Sequence, residues 1–152
     1  MKKLLLSALG VCFAAGPMFA DGHASGDADA GAKVFKKCKA CHSIIDADEN
    51  VIVKGGRNGP NLYGVYMRKA GNLDGFKYGK SIIAAGEGGL VWNEADFVAY
   101  VEDPKKFLRT YLDDKKAKSG MAFKLKKEGD RANVWAYLVS VGPAVEAEEA
   151  SN

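Results

Sequence analysis

Apolar residues recur at helical spacing in four stretches of the chain, each bounded by polar capping residues or by proline. An asparagine, Asn93, with Asp96 three residues later begins one of them, and Gly142–Pro143 ends the last. No segment alternates clearly enough to predict a strand, and glycine-rich segments such as 86–89 are predicted to be loops. The pattern predicts a mostly α protein with helices at about 29–37, 93–103, 105–112 and 130–141.

The last predicted helix has an apolar face that needs a partner. That partner is predicted to be the first helix, because Gly31 permits a close approach there. The residues that the last helix is predicted to bury are Val134, Tyr137, Leu138 and Val141.

The first 20 residues form a separate leader. Two lysines precede an apolar run over residues 4–15, and small residues surround Ala20, which is the order typical of a secretory signal peptide. We expect cleavage after Ala20, with Ala24 as an alternative, and export to the periplasm. A retained membrane anchor or a lipid-anchored Cys12 would be the other interpretations, although the apolar run is short for a span. The predicted organisation is a cleaved signal peptide at 1–20, a domain at 21–142 and an acidic flexible tail at 143–152.

Composition excludes several classes of protein. A chain of 152 residues with 47% hydrophobic and 27% charged residues is neither disordered, nor collagen-like, nor a multi-span membrane protein. Residues 30–142 contain 20 basic and 13 acidic residues, a net charge of +7, whereas both ends of the exported chain are acidic. Such a basic body favours an acidic partner, and the lack of interleaved aromatic residues argues against nucleic acid.

The candidate chemistry centres on Cys38, Cys41 and His42, in the order Cys-Lys-Ala-Cys-His. A Cys-x-x-Cys pair also occurs in thioredoxin-like and zinc sites, but a histidine directly after it is the signature of covalent c-type haem attachment. A zinc site would need two more ligands, and the only other histidine is His23 in the acidic N-terminal segment. A thioredoxin-like site would follow a strand, whereas a helix is predicted here. We therefore predict one covalently bound haem c, with His42 as an axial iron ligand.

Met121 is the predicted second iron ligand. It lies in a loop between two predicted helices, 79 residues after His42. A thioether can reach iron from such a loop, where a soft sulfur ligand favours Fe(II) and raises the reduction potential. Met67 and His23 are weaker candidates. If Met121 only fills the core, the iron would remain open to small ligands.

Several segments together resemble the cytochrome c2 family, the periplasmic relatives of mitochondrial cytochrome c, in its large subtype. The likeness covers about residues 31–142, and the departures are Met67, where many relatives have glycine, and Gly120, where a lysine is common. The resemblance implies a class I cytochrome c fold of short helices and long loops around one haem. The segments that carry it are Gly59–Gly64, Arg68–Gly71, Phe76–Tyr78, Leu90–Trp92, Tyr100–Phe107 and Met121–Phe123.

The resemblance also implies roles for residues around the two iron ligands. The carbonyl oxygen of Pro60 is implied to accept the Nδ1 proton of His42, which would fix the ring. Tyr100 is implied to approach the sulfur of Met121.

The resemblance implies that three more residues interact with the haem propionates. Trp92 and Tyr78 would donate hydrogen bonds to them, since indole N–H and phenol O–H groups tolerate an apolar pocket. Arg68 would offset their charge.

Lysines flank both ligand segments and suggest a docking surface. If the haem edge emerges between them, they would steer an acidic partner into a small, transient and salt-sensitive complex. The predicted docking residues are Lys36, Lys37, Lys39, Lys105, Lys106, Lys118, Lys124 and Lys126.

The sequence thus predicts a monomeric periplasmic electron carrier that is not an enzyme and is not inserted in the membrane after export. By resemblance, its partners are a quinol-oxidising bc-type complex as donor and a photosynthetic reaction centre or terminal oxidase as acceptor. The alternative is a dedicated electron-accepting subunit of a periplasmic dehydrogenase or sulfur-oxidising enzyme. A sensor or enzyme with an open iron is a third interpretation.

Overall fold

A computed structural model of the chain describes residues 24–144. The predicted signal peptide at 1–20 and the tail beyond residue 144 lie outside these residues. No helix within 24–144 combines the length and the apolar character that crossing a bilayer requires. The elements in chain order are α1 (Ala28–Phe35), β1 (Ile44–Ile45), β2 (Val51–Val53), α2 (Lys80–Glu87), α3 (Glu94–Glu102), α4 (Pro104–Tyr111) and α5 (Glu128–Ser140).

Capping side chains precede the first two helices that the sequence predicted, α1 and α3. The carboxylate of Asp27 accepts a hydrogen bond from the Ala30 amide at 2.7 Å and begins α1. The Asn93 side chain accepts from the Asp96 amide at 2.9 Å and begins α3. Both predicted helices are confirmed, because capping chemistry is local and readable from sequence.

The two later helices are also confirmed, with different starting points. Asp103 caps α4, and Pro104 occupies the first turn, where its missing N–H costs no hydrogen bond. The prediction began this helix one residue later. In α5 the first residue is Glu128, two residues before the predicted start, and no side chain caps it.

The crossing of α1 and α5 forms the centre of the fold. Gly31 faces the backbone of Asn133 so closely that a Cβ atom there would overlap the Asn133 carbonyl group. Val134 and Leu138 of α5 are buried, as predicted. Tyr137 and Val141 were predicted to be buried as well but are half-buried. The ring of Tyr137 packs against Phe35 with centroids 5.5 Å apart, and Val141 follows the last residue of α5.

Helix α3 also packs against α5. Trp135 is fully buried between them, with its ring centroid 5.1 Å from that of Phe97 and 6.1 Å from that of Tyr66. Aromatic pairs at these separations add to the burial of apolar area. These contacts make α1, α3 and α5 one packed unit.

Three short elements contradict the sequence prediction. Strands β1 and β2 pair antiparallel, with Ile44 opposite Val53. They were missed because they are two and three residues long, and Val51 and Ile52 are both exposed, so no alternation marks them. Helix α2 was missed because its cap position is a glycine without a side-chain bond, and because Gly86 in its last turn and the glycines at 88 and 89 were predicted to form a loop. Packing of Gly86 against the backbone of Ala70 accompanies this helix.

A short antiparallel pairing joins residues 67–70 to residues 90–92. The Met67 amide donates to the Trp92 carbonyl at 2.8 Å, and the Trp92 amide donates to the Arg68 carbonyl at 3.0 Å. Met67, the departure from the family pattern, has a positive φ of 55°, a conformation that favours glycine. The pairing brings two residues with predicted haem roles, Arg68 and Trp92, side by side.

Candidate haem site

The Cys-x-x-Cys-His segment continues α1 as an irregular helical turn. The Cys38 amide donates to the carbonyl of Phe35 at 2.8 Å, and the amides of Cys41 and His42 both donate to the carbonyl of Cys38 at 3.0 Å. This turn brings the two cysteines and the histidine together on one short segment. The two cysteines form no disulfide with each other, and Cys38 is half-buried whereas Cys41 is exposed.

The environment of Cys38 does not suit a redox-active thiol pair. Burial raises the pKa of the Cys38 thiol to about 11, although the nearby charge of Lys37 opposes the shift. Reactive cysteines of thioredoxin-like sites have a lowered pKa. Among residues 24–144 there is also no cluster of three or more histidine, cysteine or acidic side chains that could hold another metal. The thioredoxin-like interpretation of the cysteine pair therefore loses support.

One ring nitrogen of His42 is already bound to the protein. Its Nδ1 atom lies 2.8 Å from the carbonyl oxygen of Pro60. Because a carbonyl only accepts, Nδ1 carries the proton in this contact and Nε2 keeps its lone pair. Burial lowers the pKa of His42, which favours the neutral imidazole, the form that binds metals.

Glycines line the segment that lies against the cysteine turn. A Cβ atom on Gly59 would lie 2.6 Å from Nδ1 of His42 and 2.7 Å from Nε2. Gly55 and Gly56 approach the backbone of the turn as closely, and the Gly56 amide donates to the carbonyl of Lys39 at 2.9 Å. Side chains at these three positions would fill the space that the imidazole and the turn occupy.

The guanidinium of Arg68 holds a loop beside the histidine. It donates to the carbonyl oxygens of Asn61 at 3.0 Å and Tyr63 at 3.1 Å. Burial lowers the pKa of Arg68, and the neighbouring Tyr78 opposes this shift. Arg68 and Tyr78, both predicted at the propionates, are therefore close enough to interact.

Aromatic side chains from α3, from α4 and from the segment before α3 pack together. The ring of Tyr100 packs edge-on against Trp92, with centroids 5.0 Å apart, and against Phe107 at 5.7 Å. Burial raises the pKa values of Tyr78 and Tyr100, so both phenols remain neutral donors at neutral pH. Trp92 is buried, and Tyr78 and Tyr100 are half-buried, so these three predicted haem residues share one mostly apolar region.

Met121 lies in the loop between α4 and α5, half-buried against the core. Its amide donates to Oγ of Ser119 at 3.1 Å, and the same Oγ lies 3.4 Å from the Tyr100 hydroxyl. Tyr100 therefore contacts the residue two positions before Met121. Upstream, the Lys118 amide donates to Oγ of Ser81 in α2 at 3.0 Å.

All eight lysines of the predicted docking surface are exposed. Three of them make contacts within the protein: Lys37 with Asp130 at 3.4 Å, Lys124 with Asp103 at 2.6 Å, and Lys126 with a backbone carbonyl at 3.3 Å. Within the described part of the chain the structure gives no ion pair to the other five, which are Lys36, Lys39, Lys105, Lys106 and Lys118.

These residues fit a covalently attached haem. The two thiols would hold its vinyl side chains, and the glycines leave room for an imidazole whose free nitrogen can bind iron. The packed aromatic side chains of Trp92, Tyr100 and Phe107 would cover a flat apolar macrocycle. Two thiols followed directly by an imidazole on one turn are the attachment chemistry of a c-type haem.

Comparisons with known proteins agree with this chemistry. No family model matches the chain. The chain is 53% identical over 141 residues to "Cytochrome c-551" of Roseobacter denitrificans, covering 93% of this chain and 96% of that protein. It is 56% identical over 127 residues to "Cytochrome c2" of Rhodobacter capsulatus, covering 84% and 88%.

Solved structures give the same result. The crystal structure of cytochrome c2 from Rhodobacter capsulatus superposes with a TM-score of 0.73 at 58% identity, covering 76% of this chain and 98% of that one. The structure from Rhodobacter sphaeroides gives 0.76 at 51% identity, covering 78% and 98%. The fold and the cysteine turn define a class I c-type cytochrome with one covalently bound haem. Within that class, the chain belongs to the cytochrome c2 family, whose members are electron carriers and not enzymes.

Sequence reasoning overlooked several residues that shape the site. Gly55 and Gly56 carry a signal in the sequence, since adjacent glycines in a short loop suggest a close backbone approach. Ser81 and Ser119 carry none, because their contacts with the methionine loop depend on how α2 and α3 pack.

Proposed function

We propose that this cytochrome carries single electrons in the periplasm from a quinol-oxidising bc-type complex to a photosynthetic reaction centre or a terminal oxidase. Membership of the cytochrome c2 family is the observation on which the proposal chiefly rests. The partners come from the resemblance of the sequence, and the basic surface supports them. No reaction on a substrate is expected.

His42 and Met121 are the proposed axial ligands of the iron. In support of His42, its Nδ1 atom is bound to Pro60, so Nε2 is the nitrogen available to iron. In support of Met121, its thioether is half-buried in a loop whose amides are bound to Ser119 and Ser81. Two protein ligands would keep the iron six-coordinate in both oxidation states, which suits electron transfer without ligand exchange.

The residues around the ligands have proposed supporting roles. Pro60 would strengthen His42 as a donor through its hydrogen bond. Trp92 and Tyr78 would donate to the propionates, and Arg68 would offset their charge while it also holds the neighbouring loop. Tyr100, which contacts Ser119, would pack beside the sulfur of Met121.

The exposed lysines form the proposed docking surface. Lys105 and Lys106 lie in the first turn of α4, and Lys118, Lys124 and Lys126 lie in the loop around Met121. Because these positive charges surround the segment that would hold the iron, an acidic partner would be guided toward the haem. Such electron-transfer complexes bury little surface and dissociate quickly.

The proposed location is the periplasm, with the chain a monomer after export. The leader at residues 1–20 supports export through its two lysines, apolar run and small residues. Cleavage after Ala20 and after Ala24 both remain compatible with a domain whose helix α1 begins at Ala28.

Reoxidation by native membranes tests the proposal. The purified protein is reduced and mixed with membranes of the source cells, first in light without oxygen and then in the dark with oxygen. Oxidation in light indicates a reaction centre, and oxidation in the dark indicates an oxidase. No oxidation under either condition would contradict the shuttle function, and copurification with a larger periplasmic enzyme would point to a dedicated subunit instead.

A further inference from the structure

We propose that Arg131 is a positioning residue for the loop that carries Met121, a role that rests on the proposed ligation of iron by that methionine. Arg131 lies in the first turn of α5 and is 7% exposed. Among residues 24–144 it is the one charged residue that is buried. A charge is rarely buried unless hydrogen bonds or an ion pair hold it.

The guanidinium of Arg131 joins three parts of the fold. Nη1 donates to the carbonyl oxygen of Lys126 at 2.7 Å and to that of Leu125 at 3.2 Å. Nη2 lies 3.5 Å from a carboxylate oxygen of Glu102, the last residue of α3. One side chain therefore connects the start of α5, the end of α3 and the last residues of the methionine loop.

The same stretch of the loop is bound to the end of α3 by other contacts. The Leu125 amide donates to the carbonyl of Val101 at 2.7 Å, and the Leu125 side chain is buried. Lys124 and Lys126 add contacts to Asp103 and to the carbonyl of Glu102, but both lysines are exposed. Leu125 is thus the buried point at which the loop meets α3, four residues after Met121.

Only an arginine suits this position. Its planar fork can donate to two adjacent carbonyls while a further nitrogen faces a carboxylate, whereas a lysine offers a single point of charge. The side chain of Glu102 is 52% exposed, so the ion pair is weak. The main partners are the two carbonyls, of which the contact with Leu125 is buried and the contact with Lys126 is part-buried. Without Arg131 these carbonyls lose their donor, and the loop after Met121 would open locally while α1, α3 and α5 remain packed.

Local opening can be separated from loss of global stability by a matched pair of variants. Arg131→Gln and Arg131→Lys alter the loop contact, and Val134→Ala removes a buried side chain from the same helix without changing that contact. Hydrogen exchange of the Leu125 amide reports opening of the loop directly. Urea titration of the oxidised protein compares loss of the methionine-to-Fe(III) charge-transfer band with loss of helix measured by circular dichroism.

Arg131→Gln is expected to speed exchange of the Leu125 amide about tenfold beyond the change that its global stability accounts for. The charge-transfer band should disappear at a clearly lower urea concentration than the helices, and Arg131→Lys should lie between Arg131→Gln and the wild type. In Val134→Ala both transitions should move together.

Equal behaviour of Arg131→Gln and Val134→Ala at matched global stability would overturn the proposal and leave Arg131 a structural residue. If Arg131→Gln does not fold, the comparison between Arg131→Lys and Val134→Ala decides in the same way. A wild-type protein without the charge-transfer band would contradict ligation by Met121. In that case the exchange of Leu125 still tests whether Arg131 holds the loop.

Discussion

The Nδ1 atom of His42 lies 2.8 Å from the carbonyl oxygen of Pro60. The two residues belong to different segments, which meet because the Gly59 amide donates to the carbonyl of Cys41 at 2.8 Å. Proline suits the acceptor position, since its fixed φ limits the motion of the segment. The orientation of the imidazole therefore depends on a glycine and a proline that lie beside the ring rather than on the cysteine turn alone.

Gly59→Ala should disturb this arrangement. Its Cβ atom would lie 2.6 Å from Nδ1 of His42, so the ring or the segment must shift. Overpacking of this kind costs about 1–3 kcal/mol. We expect a lower urea midpoint and a smaller fraction of protein with low-spin haem, measured by absorption spectroscopy.

Gly129→Ala is the matched control for this prediction. Gly129 lies in α5, and nothing in the described part of the chain comes within 4 Å of a Cβ atom there. The same substitution in an open helical position should stabilise the protein by roughly 0.4–1 kcal/mol. A Gly59→Ala variant as stable as Gly129→Ala would contradict the close packing against His42.

The sequence allowed prediction of those features whose chemistry is local. The cap of α3 at Asn93 was predicted, and for α1 the cap was expected at Asp27 or Asp29, of which the structure uses Asp27. These contacts join groups within three residues of each other. The close approach at Gly31 was also predicted. A glycine inside a helix weakens that helix, so its presence suggests that a second helix crosses closely at that position. The spacing of the cysteines and the histidine indicated the cofactor for the same reason, since all three lie on one short segment.

Features that depend on the folded whole could not be predicted. The helix α2 has no capping side chain, and Gly86 in its last turn lies against the backbone of Ala70, a contact made by tertiary packing. From the sequence alone, Arg131 would be expected on the exposed polar face of an amphipathic helix. Its burial follows from the loop that folds over it, which no local pattern indicates.

Met121→Ala should remove the sixth ligand of the iron. The oxidised variant is expected to lose the methionine-to-Fe(III) charge-transfer band, and the reduced variant should bind carbon monoxide. Loss of the soft sulfur ligand should also lower the reduction potential, because that ligand favours Fe(II). Absorption spectra and a redox titration measure these changes.

Met67→Ala is the control for this substitution. Met67 is 55% exposed, so the change removes the same thioether from the surface. The spectrum, carbon monoxide binding and potential of this variant should match those of the wild type. Retention of the band in Met121→Ala together with its loss in Met67→Ala would reverse the assignment of the ligand.

Lys106→Glu should slow reaction with the acidic partner. Lys106 is exposed at the start of α4, and the structure gives it no ion pair within residues 24–144. Reversing its charge is expected to lower the second-order rate of oxidation by membranes roughly threefold or more at low ionic strength. The difference should vanish at high salt, where charges are screened.

Lys33→Glu changes the net charge by the same amount but lies in α1, outside the proposed docking surface. Its effect on the rate should be clearly smaller at every salt concentration. Equal effects of the two variants would mean that net charge steers the partner, and that the lysines around Met121 have no special role.

The stability of the methionine loop should depend on the charge of Asp103. This carboxylate caps α4 by accepting from the Lys106 amide at 3.1 Å, and it pairs with Lys124 of the loop at 2.6 Å. The hydrogen bond from Lys124 is the main cause of a lowered pKa of Asp103. Since the folded pKa is below the usual value of 3.8, this stabilisation is present above that pH and is lost as the pH falls through the folded pKa.

Asp103→Asn separates the charge from the cap, because an asparagine side chain can still accept from the Lys106 amide. The variant should be less stable than the wild type near neutral pH, and its stability should fall less steeply with acidification, as measured by urea unfolding between about pH 3 and pH 7. Lys124→Ala should flatten the acid limb in the same way, and the double variant should add no further change, since both substitutions remove one interaction. An acid limb as steep in Asp103→Asn as in the wild type would mean that other carboxylates dominate, and that the contact between the loop and α4 contributes nothing measurable.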